Sequence, residues 1–519
     1  MNKPQQLFQI IQNMGWRYFF FRFLFELKKK SGILKKSFPV NPSPYKGINL
    51  SQWRENKSPF FFFKIAEISV CNGVDTMALR QQAESILQGR FRFFSSQEFL
   101  LGKNYDWITN PDSNFKYDIR KHWTEIPDYT KEAGDIKYVW EKSRFSYIYT
   151  LIRDEHYNKI SHGEFIFSEI ENWINSNPIN CGPNYRCSQE ISLRVMNWIF
   201  TLYYYSGSES LTETRWEKII NAIYWQMHHV YHNINFSRIA VRNNHAITET
   251  LGLYITGTLF PWMKNAQQWK SQGKKWFEKE IAYQVYEDGT FLQFSMNYHR
   301  VVVQLFSWAI QVATLNNEVF NKIVYDRAYA SLNFLFQCQE SSNGHLPNYG
   351  ANDGALFFPL NGCDYRDYRP QLNVLHQILC GQPLYSSAGS WDEDALWFGL
   401  NKNTTIPCLY PTIKKQYGCI SFTKGGYYLI RENRSFTFIR CGNHKDRPSQ
   451  ADNLHIDIWV DGKNIFPDGG SYKYNTDSDI LKYFMGTASH NTVMLEENDQ
   501  MLKGKRFIWY HCSQCISAS

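Results

Sequence analysis

Two short polar clusters stand out against an otherwise apolar stretch of this sequence. Arg242-Asn243-Asn244-His245 directly precedes an apolar run from Ala246 to Phe260, and Asn297-Tyr298-His299-Arg300 precedes another that begins at Val301. Each cluster brings hydrogen-bonding groups and a proton-transfer group to the start of a helix: an imidazole at His245, a phenol at Tyr298. A phenol with an ordinary pKa of about 10 is a competent proton donor at neutral pH, but as a base it needs cations to lower that value. His299 and Arg300 are the nearest candidates in sequence. A plainer account of both clusters is local: an Asn ahead of a helix caps orphan N–H groups, and a Tyr in the first turn packs inward. Two such clusters on one helical domain can still face a common cleft.

A third set lies near the C-terminal end. Asn453, His455, Asp457 and Trp459 alternate with Leu454, Ile456, Ile458 and Val460, and on a strand alternate side chains point to opposite faces. The first set forms a polar face with one aromatic, suited to lining a sugar cleft; the second suits a sandwich core. Glu190, Arg194 and Trp198 share a helical face at spacings of four, which reads as an intrahelical ion pair over a packed Trp.

The elements that must position these groups change in character along the chain. From about residue 60 to 340 apolar residues recur mostly at helical spacing, over 188–204, 216–233, 246–260 and 301–315, with turn residues such as Ser206-Gly207-Ser208 between them. After about residue 405 short β-branched and aromatic runs take over, at 427–431, 436–440 and 454–460, divided by turns such as Asp461-Gly462. Helices first and strands afterwards predict joined domains rather than a βαβ sheet. The division expected is an N-terminal amphipathic arm (1–60), a helical domain (61–405) and an antiparallel sheet domain (406–519), with the boundary near 401–412. Strand-like text stops at Ser519, so the sheet is read as either small or truncated.

Composition narrows the classes. A chain of 519 residues with 43 % hydrophobics and 18 Pro can bury a substantial core, which excludes collagen and wholesale disorder. Its net charge of +8 is mild, and no basic stripe accompanies a base-reading motif, so nucleic acid is not an expected partner. The basic clusters Lys28-Lys29-Lys30 and Lys35-Lys36 sit in the arm. Eleven scattered cysteines read as mostly free thiols, and His511, Cys512 and Cys515 make at most half of a zinc site. No segment approaches the roughly 20 uncharged apolar residues of a membrane span. The run Phe19 to Leu27 is interrupted by Arg22 and Glu26 and lacks a small-residue cleavage site. It reads as a helix docked on the body, with membrane-surface contact as the rival.

Three further stretches carry a resemblance: 447–462, with Ala451-Asp452-Asn453-Leu454-His455 and the Asp461-Gly462 turn; Pro467-Asp468-Gly469-Gly470-Ser471-Tyr472; and Gly486-Thr487-Ala488-Ser489-His490-Asn491-Thr492-Val493. With Asn243-Asn244-His245 they resemble the heparinase II/III family of polysaccharide lyases, a group that is heparinase-like and alginate-lyase-like. The resemblance covers most of the chain and fades in the first 150 residues. It implies an incomplete (α/α) toroid followed by an antiparallel β-sandwich with a polymer cleft between them. The implied reaction is β-elimination at a uronic acid, which requires that the C6 carboxylate be neutralised, the C5 proton removed and the departing O4 protonated. By resemblance Asn244 binds the carboxylate with His245 beside it, and Tyr298 serves as acid and base. Asn243, Arg300 and Trp459 are the expected substrate contacts.

The sequence departs from the family where His-x-His-Ala-Asp is expected: it reads Pro448-Ser449-Gln450-Ala451-Asp452. The first His of that motif is catalytic in the family and the second binds metal. His455 beside Asp457 is a candidate to supply the missing imidazole. Gln450, Asp468 and His490 are then the remaining metal candidates for zinc or calcium. Gln is a poor zinc ligand, so no cofactor is taken as required.

The leading expectation is a lyase acting on an anionic uronate glycan. The rival is a catalytically silent glycan-binding homologue, linked to capsular or exopolysaccharide handling. A glycoside hydrolase on the same toroid would need two carboxylates flanking the bond, and Glu287-Asp288 and Asn352-Asp353 offer them only in turn-like contexts. Localisation divides between the periplasm or envelope, by resemblance, and the cytoplasm, from the lack of a clear signal; nothing in the sequence fixes an oligomeric state.

Overall fold

The computed structural model describes residues 3–61, 70–400, 408–445, 448–473, 475–504 and 508–515. The principal helices are α1 (Lys3–Lys30), α2 (Lys137–Ser143), α3 (Ser188–Tyr204), α4 (Glu213–Asn235), α5 (Asn244–Leu259), α6 (Ala266–Gln284), α7 (Met296–Leu315), α8 (Lys322–Cys338), α9 (Arg369–Cys380) and the short α10 (Ser478–Met485). Every residue of α3 is buried, as are nearly all of α5 and α7. A helix buried on all sides belongs inside a ring of others: α5 packs between α3 and α6, α3 also packs on α4, and α7 packs on α9. The α5–α6 contact is close because Gly273 has no side chain; a Cβ there would stand 2.6 Å from the Tyr254 nitrogen. Trp198, Trp216 and Trp308 are fully buried in this core.

Capping follows from the polar residues ahead of each helix. The Asn243 side chain accepts from the His245 N–H (3.0 Å) and starts α5, and Ser295 accepts from the Tyr298 N–H (3.1 Å) and starts α7. These caps fix where His245 and Tyr298 leave the backbone.

The helices are followed by an antiparallel sheet in sequential order: β1 (Gly418–Phe422), β2 (Tyr427–Arg431), β3 (Ser435–Arg440), β4 (His455–Val460) and β5 (Lys463–Phe466). The architecture is an incomplete (α/α) toroid followed by this sheet. Part of the expected boundary, residues 401–407, lies outside the described residues, as do 516–519. One sheet face rests on the toroid, with Phe334 of α8 against Phe422 and Tyr427, and with Arg431 donating to the Gln337 carbonyl at 2.7 Å.

The faces of β4 are the reverse of those expected. His455, Asp457 and Trp459 are buried, whereas Ile456, Ile458 and Val460 are only partly covered. The polar set turns inward because its partners are there. Asp457 accepts from the Trp459 indole and from Asn464 (2.9 Å), and His455 lies against Tyr349 and Asp468. Glu190 and Arg194 also differ from the expected intrahelical pair. Glu190 pairs with Arg144 at 2.9 Å, while Arg194 lies 4.0 Å above the Trp173 ring and donates to Gln226.

Candidate active site

A cleft of about 640 Å³ opens where the starts of α5 and α7 meet the loop at 448–450, residues 471–473 and Asn475, with side chains of α1 and α10 also lining it. Asn243, Asn244, His245 and Tyr298 all line it, so the two polar clusters do share one cleft. The walls are tied together beneath Asn244. Its N–H donates to the Gln293 side chain at 2.9 Å, and the Gln293 carbonyl accepts from the Ser449 hydroxyl at 3.4 Å. His245 Nδ1 lies 3.8 Å from the Cys187 sulfur, another lining atom.

Tyr298 does not stand among the cations next to it in sequence. Its hydroxyl lies beside the Asp353 carboxylate, whose Oδ2 accepts from Lys137 Nζ at 2.7 Å. Burial opposes the charge on both members of this pair. The attraction outweighs it, so Asp353 is held below the usual carboxylate range and Lys137 above the usual amine value. Gly350 makes this meeting feasible: its φ of 81° suits glycine, and a Cβ would collide with the Phe294 carbonyl oxygen at the entry to α7. Ser295 also donates to the Ala351 carbonyl at 2.6 Å, fixing the segment that carries Asp353 against the start of α7.

Arg300 and His299 turn away from the cleft. The Arg300 guanidinium lies 4.4 and 4.3 Å from the rings of Tyr365 and Tyr368 and donates to backbone carbonyls, so the substrate contact expected of it is not made from this position. His299 packs between Phe291 and Phe334, where burial depresses its pKa to about 3 and leaves it neutral. Trp459 and His455 likewise lie on the buried face of β4 and outside the cleft lining, which corrects their expected place at the substrate.

His455 instead joins Asp468 and His490. These three offer ligand atoms all within 4.8 Å of one another. His490 Nδ1 is 2.7 Å and His455 Nδ1 is 3.4 Å from the same Asp468 oxygen. Burial lowers the His455 pKa against the pull of Asp468 and Asp452. For His490 burial acts the same way but is outweighed by the Asp468 hydrogen bond and the Asp452 charge, so its pKa is raised. Both Nε2 atoms are buried without a protein partner. Two imidazoles and a carboxylate are a donor set that suits zinc, although 2.7 Å is a hydrogen-bond separation and ligands of one tetrahedral zinc stand about 3.4 Å apart. Gln450, the third candidate read from the sequence, lines the cleft, and its side-chain oxygen has no partner. Among the described residues no other such cluster occurs, so Cys512 and Cys515 find no complement.

Charge in the cleft leans positive. Lys137, Arg186, Arg242, Lys473 and Arg22 line it against Asp128 and Glu249, and burial raises the Glu249 pKa well above the carboxylate norm. Asp288, a carboxylate of the hydrolase rival, is occupied by its own turn. It accepts from Thr290 and from the Lys424 N–H. Lys137 carries no sequence signal, and Asp353 is read from the sequence only as a turn carboxylate of the hydrolase rival. Asn352-Asp353-Gly354 reads only as a turn, and its partner Lys137 lies 216 residues away.

The chain matches the profile described as heparinase II/III N-terminus over residues 50–330 and that described as heparinase II/III-like, C-terminal, over 415–514. A heparin-sulfate lyase of Bacteroides stercoris is 23 % identical over 443 residues, 81 % of this chain and 60 % of that protein. One from Bacteroides thetaiotaomicron is 24 % identical over 417 residues, 75 % of this chain and 56 % of that one. The chain thus spans at most 60 % of the length of these two relatives. Two solved structures of heparinase III share its fold. One has a TM-score of 0.54 at 17 % identity, covering 88 % of this chain and 68 % of its own. The other has 0.51 at 19 %, covering 87 % and 66 %.

Proposed function

The chain belongs to the heparinase II/III family, and we propose that it is a polysaccharide lyase that cleaves a uronate-containing anionic glycan by β-elimination in the cleft described above. The observation that carries this reading is the convergence of Asn244, His245 and an anchored Tyr298 on one positively lined cleft. Asn244 hydrogen-bonds the uronate carboxylate, with His245 beside it, which makes the C5 proton more acidic. Tyr298 acts on the face of the sugar it meets: its phenol gives its proton to O4 as the C4–O4 bond breaks, the C4–C5 double bond forms, and the phenol oxygen takes up the C5 proton in the same step. Atoms and charge balance without a co-reactant. Asp353 and Lys137 are positioning residues that hold the phenol. If a divalent cation is bound, His455, Asp468 and His490 would hold it, and its chemistry there would be to polarise a nearby oxygen.

A second reading has an observation of its own. Pro448 and Gln450 line the cleft where the family pattern places histidines, which favours a glycan-binding homologue without turnover. The two separate in one experiment. Purified protein is incubated with a panel of uronate polymers, heparan sulfate and alginate among them, and the near-ultraviolet absorbance of the unsaturated product is followed beside Tyr298→Phe. Absorbance that rises with the wild type and not with the variant supports the lyase. Silence across the panel, with retention on an immobilised glycan, supports the binding protein.

A further inference from the structure

The outer side of α1 is apolar and bare. Trp16, Phe20, Phe23, Leu24 and Leu27 are 48–59 % exposed, and at 3.6 residues per turn they fall within about 100° of the helix circumference. The Trp16 and Phe20 rings stack at 5.9 Å. The opposite side is docked. Phe25 packs on Phe236 with ring centroids 4.9 Å apart, the Arg22 guanidinium lies 5.3 Å from the same ring, and Met14, Tyr18 and Arg22 line the cleft. Exposure of the stripe is therefore not a consequence of a loose helix: the helix is held from beneath.

The charge around this stripe is as distinctive as its apolarity. Residues 1–36 contain eight Lys and Arg and one acidic residue, Glu26, so that they hold +7 of the whole chain's +8. Lys28, Lys29 and Lys30 follow the stripe directly and are exposed. Glu26 is engaged by Arg22 at 3.1 Å. Among the described residues no helix is long and apolar enough to cross a membrane. A half-exposed aromatic face beside a lysine cluster is what an interfacial helix presents to an anionic bilayer, its rings sinking into the headgroup boundary and its lysines meeting lipid phosphates. A second copy is a poor occupant, because residues 1–25 offer no acidic group to answer the lysines.

We propose that the outer face of α1 docks the protein on the surface of a bilayer rich in anionic phospholipid. The inner face of the same helix lines the cleft, so docking would hold the cleft beside the membrane.

Co-sedimentation of the full chain with two sets of vesicles tests this: phosphatidylcholine alone, and phosphatidylcholine with a third replaced by phosphatidylglycerol. At low salt the protein should pellet with the anionic vesicles and at least tenfold less with the neutral ones. Partitioning should collapse at about 1 M salt, where the screening length falls to about 3 Å. The double variant Phe20→Glu/Phe23→Glu and the triple variant Lys28→Glu/Lys29→Glu/Lys30→Glu should each lose at least tenfold in partitioning with unchanged circular dichroism. Because both alter exposed side chains, neither endangers the fold. Failure to pellet with anionic vesicles overturns the proposal, as does equal pelleting with both sets. A dimer in sedimentation equilibrium that Phe20→Glu/Phe23→Glu abolishes, without vesicle binding, would assign the stripe to a second copy and overturn it as well.

Discussion

Asp353→Asn separates positioning from chemistry in this cleft. The Asp353 carboxylate, 18 % exposed, accepts from the Lys137 ammonium, 23 % exposed, at 2.7 Å and lies beside the Tyr298 hydroxyl. An amide keeps the shape and one acceptor oxygen but loses the charge that makes both contacts strong. Hydrogen bonds to charged groups contribute about 1.5–3 kcal/mol, so loss of the Tyr298 anchor should lower kcat about 10- to 150-fold at 1.36 kcal/mol per decade. Tyr298→Phe removes the proton-transfer group itself and should cost about 10²- to 10⁴-fold. Since Asp353 acts through Tyr298, the double variant should be no slower than Tyr298→Phe alone, a failure of additivity that marks a shared unit. Initial rates on whichever uronate polymer the wild type cleaves would be compared across the four proteins, with thermal melts confirming folding. Wild-type turnover by Asp353→Asn, or losses that multiply in full, would refute the anchoring role.

Three other outcomes follow from particular contacts. Asp394 is buried with Asn361 and Gln371 as partners, and burial lifts its pKa to about 7; the folded state therefore holds a proton that the unfolded chain releases between about pH 4 and 7. Stability should fall as pH rises through that window, and Asp394→Asn should flatten the fall, matching the wild type near pH 4 and exceeding it by up to about 4 kcal/mol at pH 8 in denaturant titrations. Gly350→Ala forces a Cβ toward the Phe294 carbonyl at φ 81° and should destabilise by about 1–3 kcal/mol, with a loss of turnover because Asp353 moves with it. If His455, Asp468 and His490 bind zinc, metal at a hundredfold excess over Kd should stabilise the wild type by about 2.7 kcal/mol in melts and leave His490→Ala unmoved; equal responses would exclude the site.

Local periodicity made most of the scaffold legible. α3 runs from Ser188 to Tyr204 and β2 from Tyr427 to Arg431, the limits at which the pattern of apolar residues begins and ends. Asn243 at the start of α5 was readable because a cap is satisfied by the next few N–H groups and needs nothing from elsewhere. The clusters at Asn244 and Tyr298 were also legible, since each lies in the first turn of a helix and the two helices share a domain.

What the sequence could not decide is what each face meets. Alternation along β4 separates His455, Asp457 and Trp459 from the isoleucines, but period two is the same whichever set turns inward. The toroid decided it, by bringing Tyr349 beside the His455 ring, while Asp468 came from beyond the next strand. Tyr298 shows the same division: its neighbours in the chain, His299 and Arg300, point into the core, because residues one and two positions on along a helix face other directions. Its neighbour Asp353, and the Lys137 that pairs with Asp353, come from distant segments that only the folded toroid brings together. The sequence determined which groups are available and on which element each rides, because those are local properties of the chain; the tertiary structure decided which of them meet in the cleft, because a contact between distant segments exists only once the loops between them have closed.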